Sequence, residues 1–139
     1  MKATTAEWIA RAADDLKAAE VLIAQPELTN IVAFHAQQAV EKVLKAAIEE
    51  QDLGLVKTHS LTRLYEIVKP FYPVISDVDM LDRLEAVYVE ARYPGDMGLL
   101  PYGKPDKEEA LAFYSAANAV VSQIRAGLEQ ATETKAANE

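Results

Sequence analysis

Apolar residues recur at three- and four-residue intervals along most of this chain, and the clearest pattern spans residues 31–48. At 100° per residue, seven apolar positions there form one broad arc. The stretch lacks Gly and Pro and is dominated by residue types that favour a helix. Ile31 and Phe34 lie on the opposite, polar face, so we expect another helix or a second subunit to cover part of it. The arc consists of Val32, Ala36, Ala39, Val40, Val43, Leu44 and Ala47.

Two further long helices are indicated at the ends of the chain, each by a capping-box pattern. Thr4 with Glu7 marks the start of the first, and Asp106 with Glu109 marks the start of the last. In the first helix we expect Asp15 to face water. We expect these apolar side chains to be buried: Trp8, Ile9, Ala12, Leu16, Ala19 and Ile23 in the first helix, and Leu111, Tyr114, Ala117, Val121, Ile124 and Leu128 in the last.

Between the central and last helices, the pattern predicts a short helix and a fourth long one. The short helix is capped by Thr58 or Ser60 and ends at Pro70, and the long one begins within residues 76–79 and ends at Pro94. No strand pattern and no internal repeat is evident. The predicted fold is therefore all-α, an up-and-down four-helix bundle with one additional short helix.

Length and composition bound the organisation of the chain. Its 139 residues suit one domain, which we place at residues 1–130, followed by a flexible tail at residues 131–139 that has no apolar periodicity. The absence of Cys excludes disulfides and thiolate metal sites. No signal-peptide core and no spanning apolar run is present, so we expect a cytoplasmic protein without a membrane partner.

The formal net charge of −8 argues against a broad basic surface for nucleic acid. A local basic pocket is still compatible with the sequence, because eight of the fourteen Lys and Arg residues lie between Lys42 and Lys104. The two His residues and the acids form no convincing ligand set, so we expect no metal and no cofactor.

Four segments resemble those of HEPN-domain proteins, a family named for nucleotide binding in higher eukaryotes and prokaryotes. The resemblance covers nearly the whole chain and implies a helical bundle that forms homodimers. It also implies a minimal nucleotidyltransferase as partner protein, in toxin–antitoxin or defence systems. The segments are Trp8 with Asp14-Asp15-Leu16-Lys17-Ala18-Ala19, Gln37 to Ala46, Thr58-His59-Ser60-Leu61, and Ala91-Arg92-Tyr93-Pro94.

Many members of the wider family are metal-independent ribonucleases marked by an Arg followed four to six residues later by His. Here no His follows Arg92 anywhere in the chain. RNA cleavage without a metal needs a proton acceptor and a cation that stabilises the transition state. Arg92 is suited to the second role, whereas the first would fall to His35 or His59. We therefore assign no catalytic residue, and enzymatic activity is left undecided.

The candidate residues each have a structural and a functional interpretation. Arg92 either stabilises the end of its helix or contacts an anion. His59 either satisfies a local backbone group or binds a ligand, and His35 and Lys45 are either solvated or part of a site. The candidate ligand-binding set is Arg92, Tyr93, Lys45, His35, Gln38 and His59.

Three functions are compatible with these residues. The first is a nucleotide- or RNA-binding helical module that acts as a dimer with a nucleotidyltransferase partner. The second is a metal-independent endoribonuclease that uses Arg92 with a non-standard His. The third is a non-catalytic dimeric bundle that serves only protein–protein interaction. We expect the ligand groove where the end of the fourth helix meets the face that carries His35, Gln38 and Lys45.

Overall fold

The computed structural model describes residues 1–73, 75, 77–92 and 104–137, except for the side chains at 87–92 and 134–136. Within these ranges the chain forms five α-helices and a 3-10 turn at Pro26–Leu28, and no strand. The all-α prediction is confirmed, with four long helices and one short one. The helices are α1 (Ala3–Leu22), α2 (Thr29–Glu50), α3 (Leu61–Val68), α4 (Val78–Arg92) and α5 (Lys107–Ala137).

Helix α2 lies at the centre of the fold and packs against each of the other four helices. All seven residues of its predicted apolar arc are buried. Helix α1 runs antiparallel along its polar face, where residues of α1 meet His35, Lys42 and Lys45. Ile31 and Phe34 on that face are half-buried, and the partner that covers them stays a prediction. The hairpin of α1 and α2 therefore carries polar side chains at its seam as well as apolar ones in the core.

Two burial predictions are wrong, for different reasons. Asp15 was expected to face water, but it is buried because His35 and Lys42 of α2 reach its carboxylate. Leu111 was expected in the core, but it is 50% exposed. At the start of α5 the inward stripe runs instead through Ala110 and Phe113, one and two positions away from Leu111.

The helix starts agree with the sequence in two cases and differ in a third. Glu109 and Asp106 exchange side-chain to backbone hydrogen bonds of 2.7 and 3.2 Å, which confirms the capping box of α5. Ser60 caps α3 by accepting from the backbone N–H of Arg63. The capping box at Thr4 is wrong, because α1 begins at Ala3 with Lys2 at the N-cap, and the Thr4 hydroxyl donates to Glu49 of α2 instead.

A close contact fixes the approach of α5 to the segment that follows α3. A Cβ atom added at Gly127 would lie 2.9 Å from Cδ1 of Tyr72. The Tyr72 ring is buried, and its hydroxyl accepts a 2.8 Å hydrogen bond from the Gln51 side chain. The missing side chain at Gly127 thus leaves room for an aromatic ring that is anchored at its far end.

Most of the predicted C-terminal tail is helical. Helix α5 continues to Ala137, and the Thr132 hydroxyl donates to the carbonyl of Leu128. The division of the chain at residue 130 stays a prediction. The apolar residues Met97, Leu99 and Leu100, which follow Pro94, are outside the described residues.

Candidate functional site

A buried carboxylate, Glu41, joins polar side chains from α2 and from the segment before α3. Its side chain is 6% exposed. Oε1 accepts from the Gln37 amide at 3.2 Å and lies 3.0 Å from Nδ1 of His59, while Oε2 accepts from Nζ of Lys45 at 3.1 Å. The Gln38 amide donates to Oε1 of Gln37, which extends the network by one residue. Because an ionised carboxylate only accepts, we assign the proton to Nδ1 of His59.

A second carboxylate, Asp15 of α1, is shared by two residues of α2. Its Oδ1 lies 2.8 Å from Nδ1 of His35, and its Oδ2 accepts from Nζ of Lys42 at 2.6 Å. The Asp15 side chain is 10% exposed, so this pairing compensates a charge that is largely removed from water. The Phe34 ring meets the His35 imidazole edge-on, with the ring centroids 5.5 Å apart.

The Glu41 network borders a cleft of about 350 Å³, which we call the Trp8 cleft. It lies between α1, the end of α2 and the loop at residues 54–59. Nζ of Lys45 is 5.9 Å from the centroid of the Trp8 ring, within the range of a cation–π contact. The side chains that matter most for its chemistry are Trp8, Lys45, Ile48, Glu49, Lys57 and His59.

The loop owes its path to two residues with positive φ just after α2. Asp52 has a φ of 53° and Gly54 a φ of 92°. A Cβ atom at Gly54 would meet no atom within 4 Å, so the backbone conformation rather than crowding favours glycine there. The turn carries the chain back alongside α2, which brings Lys57 to the cleft and His59 to Glu41.

Of the six predicted site residues, three belong to the network around Glu41 and one belongs to the network around Asp15. Lys45 and His59 line the Trp8 cleft and share Glu41. Gln38 reaches the same carboxylate through its neighbour. His35 belongs to the Asp15 pair instead.

The other two predicted residues lie at the end of α4. Arg92 is the last residue of that helix, and its side chain is outside the description. Tyr93 is outside the described residues altogether. Their place in a ligand groove therefore stays a prediction.

Sequence reasoning did not identify four residues that shape these sites. Asp15 was expected to face water, Glu41 was included only as part of a family-like segment, Trp8 was assigned to the core and to another such segment, and Lys57 was not singled out. One signal was available for α1, because Trp8, Arg11 and Asp15 recur at spacings of three and four residues and so share a face. An aromatic ring that shares one helix face with two charged residues indicates a polar surface rather than a core stripe.

The N-terminus of the chain is held against the end of α2 through Glu50. The backbone N–H of Lys2 donates to Glu50 Oε1 at 2.9 Å, and the Thr5 hydroxyl donates to the same oxygen at 3.0 Å. Burial raises the pKa of Glu50, but these hydrogen bonds and the nearby positive charges outweigh it and hold the pKa below its ordinary value. A hydrogen bond with Asp52 raises the pKa of the Lys2 ammonium.

Neither a metal-binding cluster nor a membrane-spanning helix is found among the described residues. In that part of the chain, no three His, Asp or Glu side chains converge into a group that could hold a metal ion. None of the helices described there combines the length and apolar character needed to cross a membrane.

The HEPN domain family model matches residues 5–126, and this chain belongs to that family. The fold is similar to that of TT1696 from Thermus thermophilus, with a TM-score of 0.73 and 19% identity over 88% of this chain and 97% of that one. It is also similar to ST0689, an archaeal HEPN homologue, with a TM-score of 0.69 and 22% identity over 91% and 98% of the two chains. No curated protein matches the sequence.

Proposed function

We propose that this HEPN domain is a nucleotide- or RNA-binding module and that the ligand binds in the Trp8 cleft. The observation that supports this best is the presence of an aromatic ring and three basic side chains around one cavity of about 350 Å³. Single-stranded nucleic acid is held by bases stacked on aromatic rings and by cations that follow the backbone. The volume is within the range of small-molecule sites. The basic side chains are Lys45, Lys57 and His59.

Charge determines how such a site works in an acidic protein. Glu41 is paired with Lys45 and therefore offsets part of its positive charge, and the same carboxylate lies 3.0 Å from Nδ1 of His59. Lys57 is exposed at the cleft and makes no ion pair with the residues that the structure describes. Lys57 is thus the cation most available to a phosphate, while Trp8 supplies a stacking surface that does not depend on salt.

Arg92 and Tyr93 stay in the proposed ligand-binding set together with His35 and Gln38. An Arg offers a bidentate fork for phosphate, and a Tyr ring offers a second surface for a base. Their support is the resemblance of the segment around Arg92 to the family. The module is further proposed to act in the cytoplasm as a homodimer with a minimal nucleotidyltransferase, in a toxin–antitoxin or defence-type system, and family membership is the support for this role.

Endoribonuclease activity is a second candidate, favoured by the contact between His59 and Glu41. A carboxylate that accepts from one nitrogen of an imidazole fixes its tautomer and orientation, as general bases require. Chelator-resistant cleavage of total RNA by the purified protein, lost in both His59→Ala and Arg92→Ala, would establish this activity. If both variants cleave like the original protein, the activity comes from a contaminant.

The binding proposal is tested by titrating the protein with AMP at low salt and measuring affinity by calorimetry. Lys57→Ala is expected to weaken binding about five-fold or more, because an unshielded cation is lost. The control is Arg125→Ala, which removes an exposed cation on α5 outside the cleft. Equal losses in the two variants would place the site elsewhere. Absence of binding by AMP and by short RNA would favour the pure interaction bundle.

A further inference from the structure

A second cleft also borders Trp8, and the proposed function above does not use it. Its volume is about 400 Å³, and Thr4, Glu7, Arg11 and Lys42 line it together with Trp8. We call it the Arg11 cleft. Trp8 is the residue that this cleft shares with the Trp8 cleft, so both clefts border the indole.

The register of the α1–α2 hairpin sets the order of cations along this surface. Thr4 of α1 is bonded to Glu49, Trp8 lies beside Lys45, and Asp15 is bonded to Lys42. Lys42 and Lys45 are three residues apart on one helix, so their Cβ atoms are about 5–6 Å apart.

The ion pairs of the Arg11 cleft differ in how readily they give way to a ligand. The side chains of Arg11 and Glu7 are 61% and 63% exposed, and ion pairs between such exposed side chains contribute little to stability. The guanidinium can therefore turn to a phosphate at small cost. Lys42 is held by Asp15, largely out of water, and is expected to stay in place as a fixed charge at the rim.

We propose that the ligand is a single RNA strand of at least two nucleotides that crosses Trp8 and occupies both clefts. A base stacks on the indole, one phosphate is met by Lys57 on the side of the Trp8 cleft, and the next is met by Arg11. This inference rests on the proposed function, because it names the ligand of the same site. A mononucleotide fills only the Trp8 cleft and therefore does not reach Arg11.

The chain contains a single Trp, so its fluorescence reports directly on Trp8. The experiment titrates the protein with AMP and with 5′-phosphorylated oligoadenylates of two, four and six nucleotides, and follows quenching of that fluorescence. Affinity is expected to rise at least five-fold from AMP to the dinucleotide. The dependence of log K on log salt is expected to steepen by about 0.7 for each additional phosphate that the protein binds.

Arg11→Ala is the decisive variant, and Arg125→Ala is its matched control. Both remove an exposed Arg from an i,i+4 pair with Glu, and the pairs have similar lengths of 3.0 and 3.1 Å. Arg11→Ala is expected to leave AMP affinity unchanged within two-fold and to weaken the oligoadenylates at least five-fold. Arg125→Ala is expected to change neither.

The outcomes separate this inference from the function on which it rests. If AMP and the oligoadenylates bind equally tightly, or if Arg11→Ala weakens both equally, the second subsite does not exist although the nucleotide site does. If neither ligand quenches Trp8 or binds by calorimetry, the proposed function itself fails. Because Arg11 is exposed, the variant is expected to fold, and unchanged circular dichroism and melting temperature verify this.

Discussion

The ammonium group of Lys45 lies 5.9 Å from the centroid of the Trp8 ring while it donates to Glu41 at 3.1 Å. One side chain thus connects a buried carboxylate with the wall of the candidate cleft. The arrangement holds the indole against α2 and places the positive charge of Lys45 between the core and the cavity. Stability and ligand binding should consequently respond together to changes at Lys45.

Lys45→Met is expected to lower the free energy of unfolding by about 1–3 kcal/mol. The variant keeps an unbranched apolar stem beside Trp8 but leaves the buried Glu41 without its Lys partner. Urea denaturation measures the loss. Lys17→Met serves as control, because Lys17 pairs with Glu20 at 3.9 Å on an exposed surface, and its effect should stay within about 0.5 kcal/mol. Equal effects of the two variants would contradict the role given to Glu41.

Asp15→Ala is expected to be among the most destabilising changes on α1, by about 3 kcal/mol. It removes the carboxylate that His35 and Lys42 share and leaves two partly buried polar groups without it. The neighbouring Asp14 is exposed, so Asp14→Ala supplies a control of identical chemistry. The melting temperatures of the two variants should differ by several degrees. Their free energies of unfolding, measured with urea, should differ by most of the amount given above. Similar curves would mean that the shared carboxylate contributes little.

Gly127→Ala is expected to destabilise the protein by about 1 kcal/mol, although Ala favours a helix more than Gly. The added Cβ would lie 2.9 Å from Cδ1 of Tyr72, and the anchored ring has little freedom to retreat. In a Tyr72→Leu background the same change should become neutral or stabilising. A double-mutant cycle by urea denaturation measures this coupling. If Gly127→Ala destabilises the protein in both backgrounds, the Tyr72 ring is excluded as the cause.

Glu50 should make folding stability depend on pH in the acidic range. Its pKa is lowered in the folded protein, so its ionised form stabilises the fold above the ordinary glutamate value of about 4.3. That contribution is lost as the pH falls through the lower folded value. Glu50→Gln should therefore reduce stability at pH 7 and flatten the decline below about pH 4.3. Urea midpoints from pH 3 to 7 test this, and curves of identical shape would refute it.

The proposed homodimer should depend on the face of α2 that carries Ile31 and Phe34. Both are half-buried in the protomer, and an interface of ordinary size needs an apolar centre with a polar rim. Phe34→Glu is expected to convert the dimer to a monomer at micromolar concentration, as measured by light scattering. Leu111→Glu places the same charge at an exposed apolar residue of α5 and should leave the mass unchanged. A monomeric original protein would overturn the proposal.

The helices could be predicted because their signals act within a few residues. The exchange of hydrogen bonds between Asp106 and Glu109 is an example, since both partners lie in one turn. The burial of Asp15 could not be predicted in this way. Its partners are 20 and 27 residues distant along the chain, and the spacing of apolar residues contains no information on such pairs.

The candidate site was predictable only in part for the same reason. Lys45 and His59 were selected by residue type and family resemblance, but the carboxylate that joins them was overlooked. The Trp8 cleft is formed by three segments that meet only after the loop beyond Gly54 has turned back along α2. A cavity of this kind is a property of tertiary packing, so neither helix periodicity nor capping residues indicate it.

The short connection between α1 and α2 has a consequence for the order in which we expect these parts to assemble. Only residues 23–28 separate the two helices, so closing the hairpin costs little chain entropy and its contacts are expected to form early in folding. Trp8 and Lys45 both belong to this hairpin. His59 joins later, once the chain beyond α2 has docked. During refolding we therefore expect the indole to gain its neighbour on α2 before the loop that carries His59 has closed the cleft beside it.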